Sequence, residues 1–332
     1  MEEKTCVFEN VFQETERFLA IALHCQLAVQ LPVHSFGQYL IHCKTPKIMS
    51  SAKWIIFQLH AVSAFFDIYT TLLISPYIWI PSPGGYLVGL LTYFGVPPIV
   101  QLYVGCNLLM AVGFSCLFFF ENRYDIIVIG TMRRSRYRNL KRVIYFLLNF
   151  VYCSVLLVYI FSLFPDPEEG RIHVRTLWPC IPTEWIDHPN FFIMNMTHME
   201  IVTLTTSMFI LVFAQCAYFV FYTVYYLFFK MGNLSKASQR LQWRFFLALL
   251  IQATIPSLAL ALPMLYYSLA WKFQYYNQKY NNYAMIVTGI NGLFTTIVMI
   301  LAHQPYRQAM FLMISTKVAK ISRIGSLSHS FE

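Results

Sequence analysis

The stretch VIYFLLNFVYCSVLLVYIFSLF at residues 143–164 contains no charged side chain, and stretches of this kind recur along the chain. Each holds about 20 or more mostly apolar residues, enough to cross a hydrocarbon core of about 30 Å as an α-helix. Barrel strands are shorter and alternate in polarity, so they do not match this pattern. The sequence therefore predicts an all-α integral membrane protein with seven transmembrane helices. The other six apolar stretches lie at 18–42, 54–79, 93–120, 199–229, 245–271 and 282–302.

The distribution of Lys and Arg predicts the orientation of this bundle. If the N-terminus is outside, most of the 24 basic residues fall in the inner loops and the tail, with the densest cluster at 133–142. Cytoplasmic loops carry such an excess of positive charge. We therefore expect an extracellular N-terminus at 1–17, a seven-helix bundle at 18–302 and a cytoplasmic tail at 303–332. The connections are short, and no separate extramembrane domain is predicted.

Composition agrees with a membrane protein and argues against several other classes. Hydrophobic residues make up 58% of the chain and charged residues 12%, whereas soluble domains carry about 25% charged residues. The net charge of +9 arises in short loops beside the spans, so it predicts contact with anionic membrane lipid and not with nucleic acid. The chain begins Met-Glu-Glu without a basic segment, so no cleavable signal peptide is predicted. No metal-ligand cluster or cofactor motif is found, and we expect neither a metal nor a cofactor.

Few polar residues lie deep within the apolar stretches, and these are candidates for a switch. Asp67 is an acid placed far inside span two, where a carboxylate is costly unless it is paired, hydrated or protonated. Asn107 in span three and Asn291 in span seven should lie at a similar depth, so we expect a hydrogen-bonded cluster of the three. Helix packing without a signalling role is the alternative. Pro256 in span six is a candidate hinge, with a static kink as the alternative.

The longest outer segment, 165–198, carries two candidate modification sites. Cys180 and Cys6 lie outside the membrane, where disulfides form. Cys106 is about 20 Å deep in span three, so the Cys6–Cys180 pairing is favoured over Cys106–Cys180, and two free thiols remain the alternative. Asn195 begins the glycosylation sequence Asn-Met-Thr, although it lies very close to span five.

Charged and polar residues at the inner ends of spans three and seven predict contacts on the cytoplasmic side. An acid near an Arg at a membrane exit can form an ion pair that opens when a partner inserts; an ordinary interfacial charge pair is the alternative. The apolar run at 308–314 predicts a short amphipathic helix along the inner leaflet. The residues concerned are Glu121-Asn122-Arg123-Tyr124-Asp125 in span three and Pro305, Tyr306 and Arg307 at the exit of span seven.

Several segments, in their order and spacing across nearly the whole chain, resemble the nematode serpentine chemoreceptors of class H (Srh), within the Str-type superfamily. The resemblance implies a G-protein-coupled receptor for environmental chemicals, placed in the ciliary plasma membrane of sensory neurons. It implies a small-molecule ligand in the outer half of the bundle and a heterotrimeric G protein at the inner end, with a second copy of the receptor as a candidate partner. The segments are LPVHSFG (31–37), KTPK (44–47), GVPP (95–98), FENRY (120–124), WPCIP (178–182), IQATIP (251–256), YNQ (276–278) and HQPYR (303–307).

The G-protein contact implied by this resemblance involves basic and polar residues of the inner side, namely Glu121, Arg123, Tyr124, Arg133 and Arg134. Asn122 separates the acid from the Arg, unlike the acid-Arg-Tyr triplet of the broader rhodopsin-like receptors, so an ion pair between adjacent residues is not assumed. A ligand-gated ion channel of the seven-helix odorant-receptor type is the alternative function, and it requires the N-terminus inside. A transporter would show repeats or discontinuous helices, and no enzymatic motif is found.

Overall fold

A computed structural model of the chain describes residues 11–82, 84–129, 136–194, 199–230 and 236–328. Four residues singled out in the sequence lie outside these ranges, so the predictions about them stay predictions. They are Cys6, Arg133, Arg134 and Asn195.

The described residues are mostly helical, and their helices reproduce the seven apolar stretches. Six helices among them (α1, α2, α4, α5, α8 and α9) are long and apolar enough to cross a membrane, and α10 with α11, bent by 43° at a short break, counts as the seventh span. The prediction of a seven-helix membrane bundle is therefore confirmed. The helices are α1 (Glu16–Lys44), α2 (Ser50–Ile68), α3 (Leu90–Tyr93), α4 (Pro98–Tyr124), α5 (Arg138–Ser162), α6 (Pro167–Leu177), α7 (Thr183–Ile186), α8 (Met199–Phe229), α9 (Lys236–Lys272), α10 (Gln278–Gly289), α11 (Asn291–Ala302) and α12 (Gln304–Ser328).

Local sequence explains where several spans begin and end. The Thr15 side chain accepts a hydrogen bond from the Phe18 N–H and so caps the start of α1. Span three begins at Pro97 and Pro98. Proline is tolerated there because the first N–H groups of a helix have no intrahelical acceptor, so the missing proline N–H costs no hydrogen bond. Spans two and three each continue into a π-helical turn, at Tyr69–Ile74 and Asp125–Ile129 respectively.

The helix predicted after span seven is present and is longer than expected. It is α12, which begins at Gln304 and runs to Ser328, whereas the apolar run suggested a single short segment. Pro305 stands in its first turn, where a proline is tolerated. Span six runs as one continuous helix, α9, through Pro256, so a hinge at this residue stays a prediction.

We call the end of the bundle at which α1 begins the outer end, following the predicted orientation, and the opposite end the inner end. The connections at the outer end form a small structured layer that the sequence analysis did not predict. Three short antiparallel strands, in the order β1-β2-β3, pair the hairpin between spans two and three with the segment before span five. Gly85 allows this pairing, because a Cβ there would lie 2.2 Å from the backbone oxygen of Tyr77 on the neighbouring strand. We call this layer, with α6 and α7, the outer cap. Its strands are β1 (Pro76–Trp79), β2 (Gly84–Leu87) and β3 (Phe191–Ile193).

Aromatic side chains hold the outer cap together and onto the bundle. Tyr77 and Trp79 are fully buried. The Trp79 ring stacks on Trp185 of α7 with centroids 5.9 Å apart, and the two belong to one apolar cluster with Leu19 and Leu23 of span one. Burying such rings contributes a large apolar area. The cap is therefore packed onto the outer ends of the helices as a continuation of their core.

Candidate functional site within the helix bundle

Asp67 caps the second half of span seven. The break at Ile290 leaves the first N–H groups of α11 without intrahelical partners. The Asp67 Oδ1 accepts from the Gly292 N–H at 2.7 Å, and its Oδ2 accepts from the Leu293 N–H at 2.9 Å. A helix N-terminus carries a partial positive charge that favours a carboxylate. These contacts explain how a fully buried acid is accommodated within the membrane.

Two side chains of span one complete the surroundings of this carboxylate. The Gln30 Nε2 donates to the Asp67 Oδ2 at 3.1 Å and lies 2.5 Å from the Gly289 oxygen. The His34 Nε2 lies 3.3 Å from the Asp67 Oδ2. The carboxylate thus joins spans one, two and seven. Gly292 is required at this junction, because a Cβ there would lie 2.6 Å from the Ser63 backbone oxygen.

Two imidazoles and one hydroxyl extend the contacts toward the inner side. The Thr296 Oγ1 lies 2.9 Å from the His34 Nδ1 and 3.1 Å from the His60 Nδ1. The His60 Nε2 lies 3.1 Å from the His34 carbonyl oxygen, so this nitrogen carries a proton and donates it. We call Gln30, His34, His60, Asp67 and Thr296 the Asp67 network.

The Thr296 hydroxyl is the shared contact of this network. Its Oγ1 lies 2.9 Å from the Gly292 carbonyl oxygen of its own helix, in addition to its contacts with the two imidazoles. A hydroxyl donates one hydrogen bond and accepts others. This one side chain therefore connects spans one, two and seven below Asp67.

Depth alone predicted a hydrogen-bonded cluster of Asp67, Asn107 and Asn291. The structure shows different partners for these side chains. The Asn107 Nδ2 donates to the backbone carbonyl oxygen of Tyr103, on its own helix, at 2.8 Å. Asn107 lines a crevice between spans two, three and four. Asn291 is buried at the start of α11, where it lines a cavity of about 30 Å³ with Ser63 and other residues. Asn107 therefore has other neighbours than Asp67, because the rotation of span three turns its side chain toward the crevice.

At the inner end of span three, Glu121 pairs with an Arg of span four. The Arg142 Nε and Nη2 donate to the two carboxylate oxygens of Glu121 at 2.7 and 2.6 Å. Its Nη1 lies 3.3 Å from the Asp125 Oδ2, and Arg138 also pairs with Asp125. Bidentate pairs of this kind are the stronger ones. We call Glu121, Asp125, Arg138 and Arg142 the inner ion-pair cluster.

Arg123 lies on the opposite face of the same helix. Residues two apart on a helix do not face each other, which explains why the acid and the Arg of this motif have different partners. Arg123 is 8% exposed and lies close enough to His303 for their charges to interact. The His303 Nε2 is 2.9 Å from the Gln252 Oε1 of span six. Spans three, six and seven therefore meet at a buried cation.

The remaining inner residues of the predicted site also lie at helix junctions. The Tyr124 ring packs against Phe219 of span five, with centroids 5.3 Å apart. Tyr306 is fully buried, and its hydroxyl lies 2.9 Å from the Thr45 Oγ1 at the end of span one. Arg307 is exposed and donates to the Leu301 oxygen at 2.9 Å. The HQPYR segment thus ties the end of span seven to spans one and six.

Sequence reasoning missed how the outer end of span seven is held. The Gln278 Nε2 donates to the Ile78 oxygen at 3.2 Å, and the Asn281 Nδ2 donates to the Ile80 oxygen at 3.1 Å. The Asn282 Nδ2 donates to the Gln13 oxygen at 2.9 Å. Four amide side chains fall within residues 277–282, at the start of an apolar stretch. This concentration is the signal from which a polar junction could have been predicted.

Tyrosine hydroxyls and a disulfide further attach the outer cap. The Tyr77 hydroxyl donates to the backbone carbonyl oxygen of Glu14 at 2.6 Å. The Tyr86 hydroxyl donates to the Glu16 carboxylate at 2.9 Å. Burial raises the pKa of both tyrosines, so their hydroxyls remain neutral donors. Cys180 is disulfide-bonded, whereas Cys106 is free. The pairing with Cys106 is therefore not formed, and Cys6 remains the predicted partner outside the described residues.

Two comparisons show which known proteins this chain resembles. The family model described as "Serpentine type 7TM GPCR chemoreceptor Srh" matches residues 14–316. The chain is also 25% identical over 311 residues to "Serpentine receptor class H-72" of Caenorhabditis elegans, an alignment that covers 91% of this chain and 89% of that protein.

Proposed function

Because the chain belongs to the Srh family of serpentine seven-helix chemoreceptors, we propose that it binds a small environmental molecule within its helix bundle and activates a heterotrimeric G protein. The N-terminus faces the outside and the C-terminal tail faces the cytoplasm, as the distribution of basic residues favours. In this proposal the receptor acts at the plasma membrane, in the cilia of sensory neurons; the family resemblance supports this location.

The burial of Arg123 at the junction of spans three, six and seven carries this proposal. A cation inside a bundle is costly unless it is paired or hydrated. Arg123 lies near enough to His303 for their charges to interact, and His303 contacts Gln252 of span six. Movement of span six away from span seven would separate Gln252 from His303 and hydrate the guanidinium. The same movement would present a positive charge to a partner at the cytoplasmic surface.

The inner ion-pair cluster separates the role of Glu121 from that of Arg123. Glu121 binds Arg142 through both carboxylate oxygens, so its charge is directed to span four and away from Arg123. Spans three and four are thereby held together while spans six and seven move. The mobile half and the static half of the inner surface are distinct, which is the arrangement a two-state switch requires.

In this proposal the switch has two parts, the Arg123 junction at the inner end of the bundle and the Asp67 network deeper within it. The Asp67 network connects spans one and two to the N-terminus of α11, immediately beside the 43° bend of span seven. A ligand that contacts the outer half of span seven changes this bend only to the extent that it binds the two bend states with different affinities. The network then transmits the change to Thr296 and the inner half of α11.

The experiment uses full-length receptor in lipid nanodiscs with purified heterotrimeric G protein and a panel of volatile and water-soluble chemicals. Chemicals that raise guanine-nucleotide exchange are then tested on Arg123→Ala and on Lys141→Ala, an exposed basic residue nearby. We expect Arg123→Ala to lower stimulated exchange by about tenfold, equivalent to ~1.4 kcal/mol of coupling. Lys141→Ala should stay within about twofold.

Two results would count against the proposal. Full stimulated exchange by correctly inserted Arg123→Ala receptor would remove the role given to this cation. A cation current evoked by the same chemicals in membranes that contain no G protein would instead favour the ligand-gated channel.

A further inference from the structure

A crevice of about 890 Å³ lies between spans two, three and four. Asn107 and Asn122 of span three both line it, and they are separated by about 22 Å along the helix axis. The volume falls within the range of sites that bind drug-sized molecules. Neither the Asp67 network nor the Arg123 junction borders this crevice, so it is a separate feature of the molecule.

The crevice opens toward the lipid. Three of its lining residues on span four, Val143, Leu147 and Phe150, are more than half exposed, and all three lie within a membrane-spanning helix. Side chains exposed at this depth face lipid tails. The occupant of the crevice is therefore a component of the membrane.

Uncharged amides collect near the inner end of the crevice. Asn122 lies near the inner end of α4 and Asn139 at the start of α5, whereas Gln58 lies about 12 Å along its helix from the inner end of α2. The Asn122 Oδ1 is buried and has no hydrogen-bond partner among the described residues. A buried acceptor that stays unsatisfied destabilises the fold. A ligand with a hydrogen-bond donor at this level satisfies it.

The charge within the crevice favours a hydroxyl over a phosphate. Arg142 lines the crevice, but its three guanidinium nitrogens already contact Glu121 and Asp125. The two carboxylates and the cations of Arg138 and Arg142 balance within the inner ion-pair cluster. Among the lining residues Arg142 is the one cation, so a phosphate in the crevice would compete with these carboxylates, whereas a hydroxyl needs no cation.

We propose that this crevice is a binding site for a sterol, with its hydroxyl at Asn122 and its ring system along the span-three and span-four aromatics. Phe118 and Phe146 form part of that wall, in edge-to-face contact with centroids 5.4 Å apart. A rigid ring system loses less conformational entropy on binding than a flexible acyl chain. The occupied site lies beside Arg142, so the sterol stabilises the contact between spans three and four.

Photolabelling of the full-length receptor tests the site. The receptor is placed in phosphatidylcholine vesicles that contain a cholesterol analogue with a photoreactive diazirine, and labelled peptides of spans three and four are quantified. We expect labelling to be saturable and displaced by unlabelled cholesterol. The 3-O-methyl ether of cholesterol, which cannot donate a hydrogen bond, should compete about tenfold less well.

Matched variants identify the crevice as the place of labelling. Leu147→Trp narrows it, and Leu148→Trp adds the same bulk to a neighbouring residue that is also exposed to lipid. We expect the first to lower labelling about fivefold and the second to leave it unchanged. Asn122→Leu, which removes the buried acceptor from the crevice, should lower labelling about threefold by removing one hydrogen bond.

Three outcomes would overturn the proposal. Labelling that does not saturate, or that responds equally to Leu147→Trp and Leu148→Trp, would show nonspecific contact with the surrounding lipid. Displacement of the analogue by phosphatidylserine as effectively as by cholesterol would assign the crevice to a phospholipid. None of these outcomes depends on G-protein coupling, so this test and that of the proposed function fail separately.

Discussion

Replacing Asp67 with Leu should destabilise the receptor through the start of α11. The Gly292 and Leu293 N–H groups and the Gln30 amide would lose their acceptor while staying buried. Each buried donor left unsatisfied costs about 1–3 kcal/mol. Removing the carboxylate also removes its own desolvation cost, so we expect a net loss of about 3–5 kcal/mol, as for breaking a buried pair. Asp67→Asn keeps one carbonyl acceptor and should cost about half as much.

The assay is thermal unfolding of purified receptor in detergent, followed by a thiol-reactive or intrinsic fluorescence signal. The expected loss corresponds to a fall in Tm of roughly 6–10 °C for Asp67→Leu. Asn107→Leu is the matched control, because it removes a polar side chain of span three whose bond is to its own helix. It should lower the Tm by no more than about 2 °C. Equal shifts for the two variants, or an unchanged Tm for Asp67→Leu, would refute the assignment of Asp67 as the cap of α11.

Four further predictions concern the inner end and the outer cap. Arg142→Ala leaves Glu121 without its bidentate partner and should cost about 2 kcal/mol in the same assay, less than for a fully buried pair because the Arg is partly exposed; Arg142→Lys should recover part of the loss. Tyr306→Phe removes one hydroxyl contact and should cost about 1 kcal/mol. Gly85→Ala places a Cβ against a strand oxygen, so the outer cap should become accessible to a protease that leaves the wild-type cap intact. Burial lowers the pKa of His188, so the folded cap favours its neutral form; stability should therefore decline as pH falls below the ordinary imidazole pKa of about 6.5, and His188→Gln should weaken that decline.

Loss of the inner ion-pair cluster and loss of the Arg123 junction should have different effects on stability and on coupling. The inner ion-pair cluster joins spans three and four, so its loss should lower stability before it changes coupling. The Arg123 junction joins spans three, six and seven through His303 and Gln252, so its loss should change coupling more than stability. Comparing Arg142→Ala with Arg123→Ala in both the thermal and the exchange assays therefore separates structural from signalling roles.

The motif at the end of span three shows how far sequence reasoning reached. It singled out Glu121 and Arg123 as charges at a membrane exit, and both side chains are buried in the structure. Their two-residue separation places them on opposite faces of a helix, but nothing in the sequence names Arg142 as the partner of Glu121, 21 residues later. That pairing depends on how spans three and four pack. The same holds for the outer cap, whose strands pair residues from two connections more than 100 residues apart along the chain.

The sequence by itself determined that seven segments of this chain lie in a membrane as helices, because transfer of an apolar stretch into lipid depends on its composition and length and not on its neighbours. It also determined that Asp67 had to find partners, since a carboxylate at that depth is otherwise too costly. Only the tertiary structure decided which partners these were. Hydrogen bonds require direction as well as depth, and the rotation of span three turns Asn107 away while the break at Ile290 turns the N–H groups of α11 toward Asp67.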